Sequence, residues 1–314
     1  MVTDRPTLGI ALMLGFCIAA PLGDAIAKVL GPAVPLIMVI AVRFVIQAVL
    51  LVPLISATGG SLRVPQRLWP IMVLRTVLHI AGVALMFLAL RYLPLGDAVA
   101  IAYVMPFLVL FVGWLTMGEE VGLRRLIACV VGFAGTLLVM QPSFLEVGPA
   151  TLLPLAVAAI FAVFMLLTRK IAREIGPLEL QAVNGLLGSG LLVGILIFGA
   201  LFGWAEATLI RPDAQQTVLL VLLGVLGTLA HLLLTWSLRF APTATVAPVQ
   251  YLEIPVAVLF GLLIFGDFPG ALALVGIAIV MAAGLYIILR EQALAKAAPR
   301  AAPRPQPPGP PAAE

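Results

Sequence analysis

The sequence predicts an all-α integral membrane protein: ten transmembrane helices arranged as two inverted five-helix repeats. Three observations predict it. The 314 residues are 63% hydrophobic and only 10% charged, whereas a soluble domain is about half apolar and a quarter charged; no soluble core could absorb this much apolar surface. The stretch Leu88–Glu120 recurs, diverged, at an offset of 148 positions. At that offset Arg91 meets Arg239, Pro94 meets Pro242, Tyr103 meets Tyr251, Gly113 meets Gly261, Gly118 meets Gly266 and Glu119 meets the acid Asp267. Pro106 and Pro255 fall one position out of step. Repeats of this kind set the architecture of the whole chain. The third observation is the placement of basic residues, taken up below.

A spanning helix needs about 20 mostly apolar residues. Ten segments qualify: 8–30, 34–56, 69–90, 95–117, 124–140, 150–169, 178–203, 216–238, 243–265 and 269–289. None alternates polar and apolar residues with a period of two, which excludes a transmembrane barrel. The first segment follows Arg5 and ends in a run too long for a cleaved signal, so it is read as a span. Leu14-Gly15-Phe16-Cys17 has bulky Phe16 where a lipoprotein cleavage site needs a small residue. Cys17 and Cys129 both lie in apolar segments and read as small packing residues.

With the N-terminus in the cytoplasm, the inner loops and tails hold Arg5, Arg63, Arg67, Arg124, Arg125, Arg169, Lys170, Arg173, Arg239, Arg290, Lys296, Arg300 and Arg304. The outer connections hold only Lys28, Arg91 and Arg211, and Arg43 and Arg75 lie within spans. Basic residues collect on the cytoplasmic side, so both termini are expected inside, in a cytoplasmic (inner) membrane. The net charge of +4 is accounted for by orientation and lipid headgroups, and no nucleic-acid partner is expected. Five helices per half turn the second half upside down, which places a site near the midplane between halves. The division is 1–145 for the first repeat, 146–290 for the second, and 291–314 for a cytoplasmic tail whose proline and alanine content predicts disorder.

The blocks ALRYLPLGDAVAIAYVMPFLVLFVG, GEEVGLRRLIACVVGFAGTLLV, LRFAPTATVAPVQYLEIPVAVLFG and GDFPGALALVGIAIVMAAGLYI resemble the drug/metabolite transporter superfamily, EamA type, over about residues 1–290. The resemblance is specific for fold and poor for substrate. It implies secondary transport and a cavity between the repeats, lined by helices 1, 3, 4, 6, 8 and 9. The opening GFCIAAPLGDAIAKVLG, with Asp24 and Lys28, is loosely similar to vitamin (riboflavin-type) and S-adenosylmethionine carriers of the same family.

An ionisable residue at membrane depth usually faces the bundle interior. Glu253 lies about 15 Å into helix 9, between Pro248 and Pro255, which can open the helix and free carbonyls. It reads as a proton carrier or a contact for a cationic substrate group; the alternative is a structural ion pair with an interior arginine. Gln250 and Tyr251 adjoin it. Arg43 lies about 13 Å into helix 2 and needs a carboxylate, carbonyls or an anionic ligand; a clamp to Asp24 is the structural alternative. Arg75 is expected to snorkel towards water. His79, one turn on, is read as a proton relay or as an interhelical hydrogen-bond partner. Asp24 and Lys28 stand i,i+4 with the acid first, a favourable helix pair, or else a gate or substrate contact. Asp97 caps helix 4 by default. Tyr103 and Tyr251, with Trp236 and Phe107, could floor a site for a flat organic substrate or pack as core. Asn184, Ser189 and His231 read as interhelical partners, and the glycines of helices 5 and 10 (Gly132, Gly135, Gly276, Gly284) as scaffold or as a homodimer contact.

An enzyme is not expected. Leu187 stands where a rhomboid-type motif before Ser189 needs glycine, and two histidines make no metal set, so no cofactor and no metal are expected. No filter loop suggests a channel. The expected function is secondary transport of a small organic metabolite by alternating access, proton-coupled or by exchange.

Overall fold

The computed structural model describes residues 5–105, 107–108, 123–171, 174–241, 246 and 249–297. Every regular element among the described residues is helical. The α-helices are α1 Pro6–Leu30, α2 Leu36–Ala57, α3 Trp69–Ala89, α4 Leu95–Ala102, α5 Leu123–Val147, α6 Leu153–Ile171, α7 Pro177–Phe202, α8 Ala214–Phe240, α9 Glu253–Phe260 and α10 Ala271–Ala297. Seven helical stretches are long and apolar enough to cross a membrane, and one of these, Leu126–Thr168, runs through both α5 and α6. At 1.5 Å per residue it would be about 65 Å long if straight, twice a bilayer core. Gly148, at φ 65°, breaks it, in a backbone region that glycine enters without steric penalty.

Local chemistry sets most ends. Proline occupies the first turn of α1, α3 and α7, where its missing N–H has no helical partner to lose. Asp213 caps α8 in a reciprocal box with Gln216. Pro94 precedes α4. Asp97, expected to cap it, makes no cap hydrogen bond and reaches across to α5 instead, where Oδ2 accepts from the Ser143 hydroxyl at 3.0 Å.

Two expected spans are interrupted. The fourth is helical over α4, turns at Tyr103–Val104 and is helical again at Met105, Phe107 and Leu108; Pro106 and the rest of the expected span, with Gly113, lie outside the described residues, as do Gly118 and Glu119 beyond it. The ninth is helical at Val246, Val249 and Gln250, turns at Tyr251–Leu252, resumes as α9 at Glu253, and loosens into a wider π-type turn over Gly261–Phe265. The last helix corrects the expected disorder at one point. α10 continues through 291–297, because Glu-Gln-Ala-Leu-Ala-Lys-Ala consists of strong helix formers; 298–314 lie outside the described residues.

Packing pairs helices from the two ends of the chain: α1 on α8, α2 on α7, α3 on α6, α4 on α9 and α5 on α10. Glycines permit the closest approaches. A Cβ on Gly135 would fall 3.0 Å from the Gly276 carbonyl, and one on Gly276 would fall 2.5 Å from the Gly135 carbonyl. These two glycines are thus occupied with each other inside the chain, the scaffold role of the two expected. The main apolar core runs between α2, α3, α4, α9 and α10.

Candidate functional site

The chemistry starts from a proline. In an unbroken helix the Gln250 carbonyl would accept from the amide of residue 254 and the Tyr251 carbonyl from that of residue 255. Residue 255 is proline and has no amide hydrogen. The Ile254 amide bonds instead to the Tyr251 carbonyl at 3.3 Å, and the Gln250 carbonyl is released from the ladder. Tyr103, at the end of α4, places its hydroxyl 2.7 Å from that oxygen. The same hydroxyl lies 2.6 Å from Glu253 Oε2. Cys17 of α1 points its thiol at the Val249 and Gln250 carbonyls, at 3.4 and 3.7 Å.

One hydroxyl carries one hydrogen. Tyr103 can make both bonds at full strength only when the Glu253 carboxyl carries a proton and donates it to the tyrosine oxygen. Glu253 is 9% exposed, and the ion pairs among the described residues, Lys28–Asp267, Arg67–Glu174 and Arg91–Glu206, leave it out. The expected alternative of an arginine partner for Glu253 is therefore not what holds it.

These groups open into a cavity of about 200 Å³ bounded by α1, α2, α3, α4, α6 and α8 together with Gln250 and Glu253. Its walls are mostly apolar and aromatic, with Phe16, Phe87, Phe161 and Phe164 beside Met86, Met105 and Met165. Its polar groups are Asp24, Arg43, Tyr103, His231, Gln250 and Glu253. Five of the nine residues expected from sequence thus line one space. Helix α2 joins the expected lining set through Arg43.

Arg43 is 5% exposed. Its Nη1 has no hydrogen-bond partner among the described residues, and Nη2 lies 3.4 Å from His231 Nδ1. That nitrogen sits 2.9 Å from the Gly227 carbonyl, to which it donates, so it has no lone pair to offer the arginine. Gly227 is what lets Arg43 enter: a Cβ there would fall 2.5 Å from Arg43 Nε. The expected clamp to Asp24 is absent, since no ion-pair contact within 4.0 Å joins them.

The other four expected residues are held elsewhere. His79, fully buried, lies behind the cavity wall among Phe44, Phe161 and Phe164, 4.7 Å from the His231 ring. The Asn184 amide oxygen accepts from Arg75 Nη1 at 3.0 Å and Thr76 Oγ1 at 3.2 Å, so its nitrogen donates to His79 Nδ1 at 2.9 Å. This fixes His79 as the neutral Nε2–H tautomer. Arg75 does not snorkel. It is 1% exposed, bonded to Thr168 at 2.8 Å, with its guanidinium 4.5 Å from the Phe164 ring centroid.

Tyr251 packs its ring 5.2 Å from Tyr103 but turns its hydroxyl towards Gly284 of α10, away from the cavity. Trp236 packs on Leu51, Ile55, Ala182 and Leu232. Phe107 lies against Gly132. Lys28 does not pair with Asp24. It bonds Asp267 Oδ2 and the Leu93 carbonyl, both at 2.9 Å, under the Phe265 ring. Ser189 and His231 bond carbonyls of their own helices, at Gly185 and Gly227, so only Asn184 of that trio bridges helices. His231 is the cavity residue that sequence reasoning undervalued. The signal was Gly227 one turn before it on the same helix face.

A helical bundle of membrane-spanning length, with interrupted helices meeting at a buried cavity, is the architecture of a polytopic membrane carrier. The comparisons agree. The sequence profile of the EamA-like transporter family matches residues 7–141 and 148–290, and the chain belongs to that family. The riboflavin transporter of Brucella anthropi is 26% identical over 265 residues, covering 84% of this chain and 92% of that one. The riboflavin transporter of Vibrio cholerae is 28% identical over 262 residues, covering 81% and 83%. The S-adenosylmethionine uptake transporter of Rickettsia bellii is 24% identical over 251 residues, covering 80% and 82%. A solved crystal structure, 21% identical, superposes with a TM-score of 0.63 over 90% of this chain and 98% of that one, a likeness of fold. The chain is a multi-pass membrane transporter.

Proposed function

We propose that the chain is a secondary carrier of a flat heteroaromatic metabolite, cycling by alternating access with Glu253 as its proton-carrying group. Ten spans form two inverted five-helix repeats, both termini face the cytoplasm, and the membrane is the inner one. The distribution of basic residues supports that orientation. The pairing of helices across the chain supports the two halves, because α1 on α8 mirrors α3 on α6, while α2–α7, α4–α9 and α5–α10 each pair helices of equal rank.

The observation that carries the mechanism is the chain of contacts from Glu253 through Tyr103 to the Gln250 carbonyl. It is complete with the carboxyl protonated. Loss of that proton leaves a buried carboxylate with one donor that must abandon the carbonyl to serve it. Proton loss therefore rearranges the joint between the two interrupted helices, which is the joint alternating access has to move. The aromatic and methionine walls suit a planar ring system, the kind of cargo named for the riboflavin and S-adenosylmethionine relatives.

The test is uptake into proteoliposomes with and without an imposed pH gradient. The gradient stimulates uptake by the wild-type carrier several-fold, and Glu253→Gln, which keeps shape but cannot release a proton, abolishes the stimulation while retaining exchange. Equal stimulation of the variant removes Glu253 from the coupling.

A further inference from the structure

We infer that Asp24 and Arg43 form a dipolar recognition site for a substrate group that carries an anion and a cation side by side, the α-amino-acid group being the chemical class that fits. The inference rests on the carrier reading above and adds to it the head group of the cargo.

Asp24 lies six residues before the end of α1 and Arg43 seven residues after the start of α2. The hairpin brings them to similar depth, about 9 and 10 Å from the shared turn. Both line the cavity, yet no ion-pair contact within 4.0 Å joins them. Each is short of partners. Arg43 is 5% exposed with Nη1 unbonded among the described residues, and the polar group that Nη2 does reach, His231 Nδ1, already donates to Gly227. The Asp24 carboxylate accepts no hydrogen bond among the described residues.

A buried guanidinium left with free N–H groups is costly, and side chains of opposite charge lining one cavity would ordinarily close on each other. Here both line one cavity and form no ion pair. A purely anionic ligand would satisfy Arg43 and be repelled by Asp24; a purely cationic one meets the reverse. A neutral ring edge supplies acceptors but displaces water from both charges without replacing it. A carboxylate on Arg43 with an adjacent ammonium on Asp24 satisfies both and leaves the net charge of the cavity unchanged. The forked guanidinium matches a carboxylate in two parallel bonds. The ring of the same ligand then lies along Phe87, Phe161 and Met165.

The experiment measures dissociation constants of the purified full-length protein for two probes, S-adenosylhomocysteine and 5′-methylthioadenosine. Both carry adenosine on a neutral thioether, and only the first bears an α-amino-acid group. The expected result is at least tenfold tighter binding of S-adenosylhomocysteine, with the preference falling below threefold in both Arg43→Gln and Asp24→Asn. Arg43→Lys, which keeps the charge and loses the fork, gives an intermediate ratio. Equal affinity of the two probes for the unaltered protein overturns the inference, with no variant needed. So does a preference that survives both substitutions, and so does failure of S-adenosylhomocysteine to bind. The two readings fail separately. Proton-driven uptake of riboflavin through Glu253, with equal binding of the adenosyl probes, removes the dipolar site and leaves the carrier. An amino-acid preference carried by Arg43 and Asp24, without gradient-driven uptake of either probe, does the opposite.

Discussion

Asp24 and Lys28 sit one turn apart on the same helix and meet opposite fates. Lys28 is fully matched: it holds Asp267 and the Leu93 carbonyl, tying α1 to the connections before α4 and α10. Beside it Arg91 grips Glu206 at 3.0 and 3.4 Å, and the same carboxylate accepts from the Leu36 amide at 3.2 Å. One turn inward, Asp24, Arg43 and Glu253 share a cavity and make no ion pair among themselves. Matched charges at the end of a bundle hold elements together. Charges left unmatched at depth are retained against a cost of several kcal/mol per ion, and a ligand or a proton is what can offset it. On the alternating-access reading proposed above, the matched layer is the part that closes the end of the cavity, so closure and recognition are one turn apart on α1 and need not share residues.

The comparison can be broken from either side. The largest effect belongs to the matched interior behind the cavity. Asn184→Leu strips partners from Arg75, Thr76 and His79 at once, and loss of hydrogen bonds to a buried charge should cost about 3 kcal/mol or more. The expected outcome is a collapse of thermal stability in fluorescence-detected size exclusion. A melting point within a degree of the unaltered protein would mean the network is not a structural support. The middle effect belongs to the closing layer. Lys28→Met should shift the open–closed balance by about 1–2 kcal/mol, roughly tenfold. In a Cys17→Ser, Cys129→Ser background, a cysteine replacing Phe87 on the cavity wall reports it, because an impermeant maleimide added outside should react about tenfold faster once Lys28 is gone. An unchanged rate would take Lys28 out of the closure.

Sequence made the apolar segments and the broken helices legible because both rest on local chemistry. Apolar runs show directly, and Pro255 removes an amide wherever it sits. The repeat offset also carried real information: it paired Tyr103 with Tyr251, and their rings pack against each other. Facing did not show. An aromatic residue in a span reads the same whether it walls a cavity, as Phe87 does, or fills a core, as Trp236 does. Partner choice did not show either. The i,i+4 rule offered Asp24 to Lys28, a pair worth a few tenths of a kcal/mol, and the fold offered Lys28 a carboxylate and a carbonyl 239 and 65 residues away. Tertiary contacts override a preference that weak.

The smallest effect is the most exposed member of the matched layer, and it has a signed pH dependence. The hydrogen-bonded Arg91 guanidinium, helped by the Leu36 amide, holds the Glu206 carboxyl below its ordinary value. A carboxyl lowered in the folded state stabilises it above the unfolded value, about 4.3, and that contribution fades as pH falls through the folded value. Glu206 is nearly half exposed as a side chain, so water and salt screen the pair to about 1 kcal/mol or less. Glu206→Gln should therefore lower the melting temperature slightly at pH 7, and the gap to the unaltered protein should narrow towards zero on acidification below pH 4. A gap that widens on acidification would mean Glu206 is held in its protonated form. A gap insensitive to 0.5 M salt would mean the pair is shielded from solvent, and the closing layer would then be as dry as the cavity wall beneath it.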